Sequence, residues 1–509
     1  MVDAALPPLI QQMLQPEFYP HPVQVPIELV QTHVSYVLLT GEFAYKLKKN
    51  VNFGFLDYST LEKRQHFCQE ELRLNRRAAA PIYLEVVSIG KTGDRFQLGE
   101  GEAVEYAVKM RQFPQSALLS HLFEQGALTA ELLQRLAQAI AEFHTEAETN
   151  DYIRGFGEVA QIRASIDENY AQTTDFIGGP QTQTQFDQTQ AYTDRFFAQE
   201  QALFQQRIDQ NRIRACHGDL HLNNICLWQD QLYLFDCIEF NEPFRFVDVM
   251  FDIAYIVMDL EAGDRPDLRT VFLNHYVEQT GDWEGLEILP LYVSRQSYVR
   301  AKVTSFLLND PSVSAAEKAK ASRKAAPYYR LAWAYTQPQQ GQIFVMSGLS
   351  GSGKTTTARQ LAQQIGAIHI RSDAVRKHLA GVPLAAKGSD AIYTPEMSQK
   401  TYARLLDLGI RLAKRGYPVV LDAKYDRQAM RQAVIEQAEA KDIPLQILYC
   451  DIPPAVMQQR LQQRTGDIAD ATPAVLAQQR MEPFSHAEQI YVKTIDTTQD
   501  LTPQLKAIA

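Results

Sequence analysis

Within residues 31–49, apolar and β-branched positions recur on both sides of the turn signal Thr40-Gly41-Glu42, which predicts two strands of a hairpin. Lys46 and Lys48 stand two apart in the second strand and therefore share a face. The period then changes to that of a helix over Ser59–Ala80, with Ser59 or Thr60 as cap and Glu62 in the first turn. Its stripe holds Phe67, Glu71, Leu74 and Ala78. Strands are expected near Ile82–Ile89 and Glu105–Gln112, and helices from Ser116 to Glu148. The Gln/Thr-rich stretch from Gly178 to Gln190 reads as a loop, and the chain from Val249 to Trp333 as mainly helical. Beyond the polar junction Gln337–Gly341, the runs Ile343–Ser347, Ala367–Arg371, Val419–Asp422 and Leu445–Cys450 alternate with helical stretches. One of these opens on Thr394-Pro395-Glu396, a cap followed by Pro and an acid. That alternation predicts a doubly wound parallel sheet. The prolines at 7, 8, 16, 20 and 22 make the first 22 residues an ill-structured lead-in. The expected division is a lead-in over 1–24, a first domain over 25–336, a linker at 337–341 and a second domain over 342–509.

Composition narrows the class. The 509 residues exceed what one core covers, and 45% hydrophobic with 22% charged residues is ordinary for a soluble globular protein. No apolar run is long enough to span a membrane, and the start of the chain has no basic signal region. The five cysteines are scattered and odd in number, so they are expected as reduced thiols in the cytoplasm. Of 50 basic and 60 acidic residues, 20 and 16 lie from Gly341 onward, which makes that part +4 and the remainder −14. An acidic half of this size argues against a broad nucleic-acid grip.

Two stretches carry chemistry. After the apolar run Ile343–Met346 comes Gly348-Leu-Ser350-Gly351-Ser352-Gly353-Lys354-Thr355, which fits GxxxxGK[ST] in a strand–loop–helix setting. The glycines let successive N–H groups turn inward around phosphate oxygens, and the helix from Lys354 through Thr355 and Thr356 adds its positive end. Lys354 would reach the β/γ-phosphates, and the Thr355 hydroxyl would ligate Mg²⁺. The second stretch is Cys216-His217-Gly218-Asp219-Leu-His221-Leu-Asn-Asn224, followed by the strand-like LYLFDCIEF with Asp236. Asp219 could accept the proton of an attacking hydroxyl, while Asn224 and Asp236 offer the oxygens that a hard cation prefers. A zinc site on Cys216, His217, His221 and Cys226 matches no common spacing.

Residues 25–330 resemble the aminoglycoside phosphotransferase/choline kinase superfamily, whose H-G-D-x-x-x-x-N motif matches His217, Gly218, Asp219 and Asn224. The resemblance implies a bilobal, protein-kinase-like α+β domain. Phe43-Ala44-Tyr45-Lys46 occupies the V-A-I-K strand pattern of protein kinases, so Lys46 is the phosphate-binding candidate and Glu71 (or Glu70) its partner. Asp248 and Asp252 resemble the D-x-x-x-D-[IL]-A segment that ties down the catalytic loop, and Glu239 stands behind the metal-binding group. The family's glycine-rich loop is missing, with His33-Val34-Ser35 in its place.

Residues 341–509 resemble small P-loop kinases such as gluconate kinase, chloramphenicol phosphotransferase, zeta toxins and polynucleotide 5′-kinases. The family's acceptor-side D-x-x-R matches Asp373 and Arg376. Asp422 is a Walker-B-like metal carboxylate or a substrate-side one, and Arg460 and Arg464 resemble lid arginines. The fold class expected is thus α/β multi-domain, kinase-like followed by P-loop. The expected function is a bifunctional ATP·Mg²⁺-dependent phosphotransferase acting on small hydroxyl-bearing molecules. The alternatives are a single P-loop kinase with a binding or regulatory first half, and a nucleic-acid 5′-end kinase.

Overall fold

The computed structural model describes residues 6–463 and 468–508. Contacts divide the chain into two compact units. Unit 1 comprises Met1–Thr129, Glu142–Ala262 and Leu291–Tyr335, and unit 2 comprises Ala130–Ala141, Gly263–Pro290 and Thr336–Ala509.

Unit 1 begins with strands β1 (Glu28–Gln31), β2 (Ser35–Leu39), β3 (Phe43–Lys48), β4 (Tyr83–Thr92), β5 (Arg95–Leu98) and β6 (Ala103–Arg111). They form one antiparallel sheet in the order β1-β2-β3-β6-β4-β5. Alternation along β3 decides which side does what. Tyr45 and Leu47 join Leu38, Ile89 and Ala107 in an apolar layer that also buries Ile10, Met13 and Tyr19. Residues 8–13 are therefore a helix packed on the sheet, and the proline-rich start is folded rather than ill-structured. Proline sits at its first turn, where no amide hydrogen is needed. Lys46 and Lys48 point to the other face, toward helix Leu61–Ala79, which Thr60 caps by accepting from Lys63 N.

The rest of unit 1 is largely helical, with two short pairs: β7 (Ile213–Ala215) with β10 (Phe246–Asp248), and β8 (Ile225–Trp228) with β9 (Gln231–Leu234). The stretch expected as a loop is in fact helix Gln183–Gln199 from its sixth residue on. A Thr182/Gln185 capping box starts it, and Thr189, Thr193, Phe196 and Phe197 are buried, so tertiary burial overrides the weak pattern.

In unit 2, strands β11 (Gln342–Ser347), β12 (Ile368–Arg371), β13 (Pro418–Asp422), β14 (Leu445–Cys450) and β15 (Val492–Ile495) form an all-parallel sheet in the order β12-β13-β11-β14-β15. The sequence pattern anticipated the first four and not β15, which is short and partly exposed. Helix Lys354–Ile365 packs Ala358, Leu361 and Ala362 on Phe344, Met346, Val420 and Leu448. Edge strand β12 is covered by helix Pro266–Thr280. There Asn274 donates to Ala367 O at 2.9 Å and accepts from His369 N at 2.8 Å, pairing with the strand's free edge. No helix among the described residues is long and apolar enough to cross a membrane.

Candidate active sites

In unit 1 the helix Leu61–Ala79 fixes three parts of a cleft. Glu71 is fully buried and lies 2.8 Å from Lys46 Nζ and 2.7 Å from Lys48 Nζ. Asn75 Oδ1 accepts from Cys237 N at 2.8 Å, next to Asp236. Arg77 donates to Ala215 O and Cys216 O, just ahead of His217. Of the two neighbouring glutamates, Glu71 is the one in the cluster; Glu70 pairs with Arg73 on the surface.

The lysines divide the work. Lys46 also bonds Asp236 at 2.5 Å, whereas the deeper Lys48 bonds Glu239, which accepts a further bond from the Tyr58 hydroxyl. Burial works against the Lys46 ammonium, but Asp236 and Glu71 override it and hold its pKa well above the ordinary lysine value. Burial likewise opposes the Glu71 carboxylate, and Lys46 and Lys48 pull its pKa below the usual range. Asp236 sits in the left-handed region at φ 62, with its N–H bonded to the Tyr83 hydroxyl at 3.1 Å. Such a strained position persists only where its surroundings hold it.

The catalytic-loop stretch is held from beneath. Asp252 accepts from His217 N at 2.9 Å and Gly218 N at 2.8 Å, and contacts His144 Nε2 at 3.1 Å. Asp248 takes a two-pronged bond from Arg207 at 2.8 and 2.7 Å. Gly218 has φ 88, and a Cβ there would lie 2.7 Å from Phe244 O, so this turn needs glycine. Asn224 Nδ2 donates to Asp219 O at 3.0 Å. His221 Nε2 is 3.3 Å from Asp219 Oδ2, while its Nδ1 accepts from Asn223 N, which leaves a ring proton facing the carboxylate. Burial raises the Asp219 pKa, but His221 outweighs it and keeps the carboxylate below its usual range.

Above these groups opens a cleft of about 410 Å³. Val37, Ala44, Met110 and Phe113 give it apolar walls, and Lys46, Asp219 and Asp236 line its polar end. That donor set fits a nucleotide with Mg²⁺: a greasy slot for a base, a cation for phosphates, and carboxylate and amide oxygens for the metal. The β1–β2 connection is a tight turn over Thr32–Val34, with Thr32 Oγ1 accepting from Val34 N and Ser35 N. Thr32, Val34 and Ser35 line the cleft where a glycine-rich loop was missed in the sequence.

In unit 2 the loop after β11 has Gly348, Gly351 and Gly353 at φ 138, 82 and 93. A Cβ at Gly351 would lie 2.6 Å from Met457 O, and one at Gly353 2.7 Å from Thr497 Oγ1, so side chains would fill the cradle. Lys354 Nζ donates across the loop to Leu349 O at 2.7 Å. Its burial lowers its pKa, against the charges of Asp422 and Asp373. Thr355 is partly buried and Thr356 exposed on the first helical turn. Ser352 is buried, and its carbonyl accepts from Thr497 Oγ1 at 2.7 Å. Ser350 is gripped twice by Gln479, which accepts from Ser350 N and donates to Ser350 Oγ, each at 3.0 Å.

Asp373 lies in the first turn of helix Ser372–Ala380, directly after β12. Asp422 ends the adjacent strand and meets His369 Nε2 at 3.0 Å; burial raises its pKa and His369 brings it back below the ordinary value. Arg376 is buried, with NH1 3.2 Å from Ile392 O and 3.3 Å from Ser398 Oγ, and lies over the Tyr393 ring. Arg460 holds Thr497 by its side chain at 2.8 Å and its carbonyl at 2.7 Å, so it backs the phosphate loop. Arg464 lies outside the described residues.

Sequence reasoning missed Tyr58, Asn75, Arg77, His369, Gln479 and Thr497. His369 had a faint signal, a polar residue in the apolar strand stretch IHIR. Each of the others acts through the backbone or one distant partner, which leaves no spacing to read.

Residues 84–289 match the family model described as phosphotransferase enzyme family, and residues 343–483 match that described as AAA domain. An uncharacterized protein of Mycobacterium tuberculosis is 28% identical over 455 residues, covering 89% of each chain. Among solved structures, a choline/ethanolamine kinase family protein from Mesorhizobium loti aligns with 65% of this chain and 99% of its own at 11% identity and TM-score 0.39. A gluconokinase from Sinorhizobium meliloti aligns with 33% of this chain and 90% of its own at 21% identity and TM-score 0.25. The two family-model matches make the chain an enzyme with two kinase-type domains, one similar to the phosphotransferase enzyme family over residues 84–289 and one a P-loop domain over residues 343–483.

Proposed function

We propose that the chain is a bifunctional phosphotransferase that uses ATP and Mg²⁺ in each unit to phosphorylate hydroxyl groups of small molecules. The observation that supports this reading is that each unit gathers groups suited to phosphates and a hard cation: Lys46, Glu71, Asn224 and Asp236 around Asp219, and the Lys354 loop beside Asp373 and Asp422. Bound ATP would supply the phosphoryl group, and Mg²⁺ would neutralise its charge.

In unit 1, Glu71 keeps Lys46 charged and available to phosphate oxygens, and Asn224 and Asp236 would hold the metal. Asp219, ionised through His221, orients the acceptor hydroxyl and takes its proton. In unit 2, the loop amides and Lys354 would cradle the phosphates, and Thr355 and Asp422 would hold the metal. Asp373 would act on the acceptor hydroxyl, Arg376 on the acceptor itself and Arg464 on the charge that develops, with Arg460 bracing the phosphate loop through Thr497. Neither unit needs a covalent nucleophile, so positioning and charge neutralisation carry the rate. Five free, buried thiols support a cytoplasmic setting.

Asp219→Ala and Lys354→Ala, made separately on the full chain, test the reading through ATP consumption across a panel of hydroxyl-bearing metabolites. Each substitution is expected to abolish a different activity. A second reading, in which unit 1 only binds, draws on the short β1–β2 turn; it prevails if Asp219→Ala leaves every activity unchanged.

A further inference from the structure

Helix Leu289–Ser305 carries Arg295, Arg300 and Lys302, and no acidic residue occurs between Glu287 and Asp310. This run lies in the part of the chain whose net charge is −14, so a patch without acids is out of keeping with its surroundings. Arg295 and Lys302 are two turns apart and share a face.

Arg295 is half-buried and forms no ion pair among the described residues. Its partners are all uncharged: the Phe251 ring at 4.8 Å, Gln296 Oε1 at 2.6 Å and the Tyr255 hydroxyl. Its Nε is buried with no hydrogen-bond partner. Lys302 likewise donates to a neutral group, Gln172 Oε1 at 2.7 Å, and Glu168 acts on it only at longer range. Arg300 reaches Asp259 only at 3.9 Å, and Asp259 also accepts from Leu222 N. Geometry ties both arginines to the Asp219 loop: Arg295 reaches the Tyr255 hydroxyl, the Tyr255 ring lies 6.4 Å from that of His221, and His221 contacts Asp219 at 3.3 Å, while Arg300 meets Asp259, which accepts from Leu222 N in the same loop. Taking a guanidinium out of water without a carboxylate is costly, and a ligand that brings the counter-charge would offset that cost. Guanidinium forks match carboxylate and phosphoryl oxygens.

We infer that the acceptor handled at Asp219 bears an anionic group, a carboxylate or a phosphoryl group, received by Arg295 with Arg300. This rests on reading Asp219 as the acceptor-side base.

The test uses the full chain carrying Lys354→Ala, so that the second unit's phosphate cradle is disabled. Calorimetric titrations with sulfate, D-glucuronate and D-glucosamine compare an inorganic anion with two sugars of one size and opposite charge. Sulfate and D-glucuronate are expected to bind, and Arg295→Gln is expected to weaken both by about tenfold or more, a change well resolved in Kd. Arg300→Gln repeats the comparison should Arg295→Gln fail to fold. Anion binding that is absent or survives both substitutions, or preferential binding of D-glucosamine, overturns the inference. ATP titration of the same proteins is separate: failure to bind ATP removes the phosphotransferase reading and leaves the anion result standing.

Discussion

Glu71→Gln is the sharpest test of how unit 1 is held together. The glutamate is fully buried between two ammonium groups at 2.8 and 2.7 Å, and glutamine keeps its shape while deleting its charge. Removing one partner of a buried ion pair costs about 3–5 kcal/mol. Lys46 retains Asp236 and Lys48 retains Glu239, so the lower end applies, about 3 kcal/mol. At about 2 °C per kcal/mol for a domain of this size, melting falls by roughly 6 °C. Glu70→Gln supplies the control. Its pair with Arg73 is an exposed contact three residues apart, worth about 0.2–0.5 kcal/mol, so melting should move by about 1 °C or less. Scanning calorimetry on the full chain reads both, and the transition of the unit without the mutation serves as internal reference. If Glu71→Gln melts within about 1 °C of the parent, the two lysines do not depend on this carboxylate and the argument fails.

Three further outcomes are expected. His221→Asn removes the main group that depresses the Asp219 pKa. A carboxylate with a depressed pKa keeps its charge until pH falls through that value, so the acidic limb of the kcat/KM profile should move to higher pH, and an unmoved limb refutes the pairing. Gly351→Ala forces a Cβ to 2.6 Å from Met457 O at φ 82, and overpacking of about 1–3 kcal/mol should distort the loop and weaken ATP binding by unit 2 while leaving unit 1 binding intact. Asp252→Asn leaves one of the amides of His217 and Gly218 facing an NH₂ group; kcat at the Asp219 site should fall about tenfold or more with little change in ATP affinity, and an equal loss in both would show general unfolding instead.

Much was legible in the sequence because some chemistry must be written in contiguous residues. A phosphate loop needs its glycines at fixed offsets from Lys354, and a catalytic loop needs Gly218 beside Asp219, so both appear as motifs. The strand alternation that puts Lys46 and Lys48 on one face is local for the same reason. So are the apolar runs of the parallel sheet and the caps at Thr60 and Thr394. What the chain could not announce was every decision taken by packing. The strand pattern singles out Lys46, but only the folded chain sets Lys46 on Glu71 and Asp236 and Lys48 on Glu71 and Glu239. Helix Gln183–Gln199 and the folded start of the chain exist because Phe196, Ile10 and Met13 find a core, which no local propensity records. Gln479 on Ser350 and His369 on Asp422 join residues 129 and 53 positions apart. A hydrogen bond between such partners depends on where the backbone carries them, and that geometry is a property of the folded chain alone.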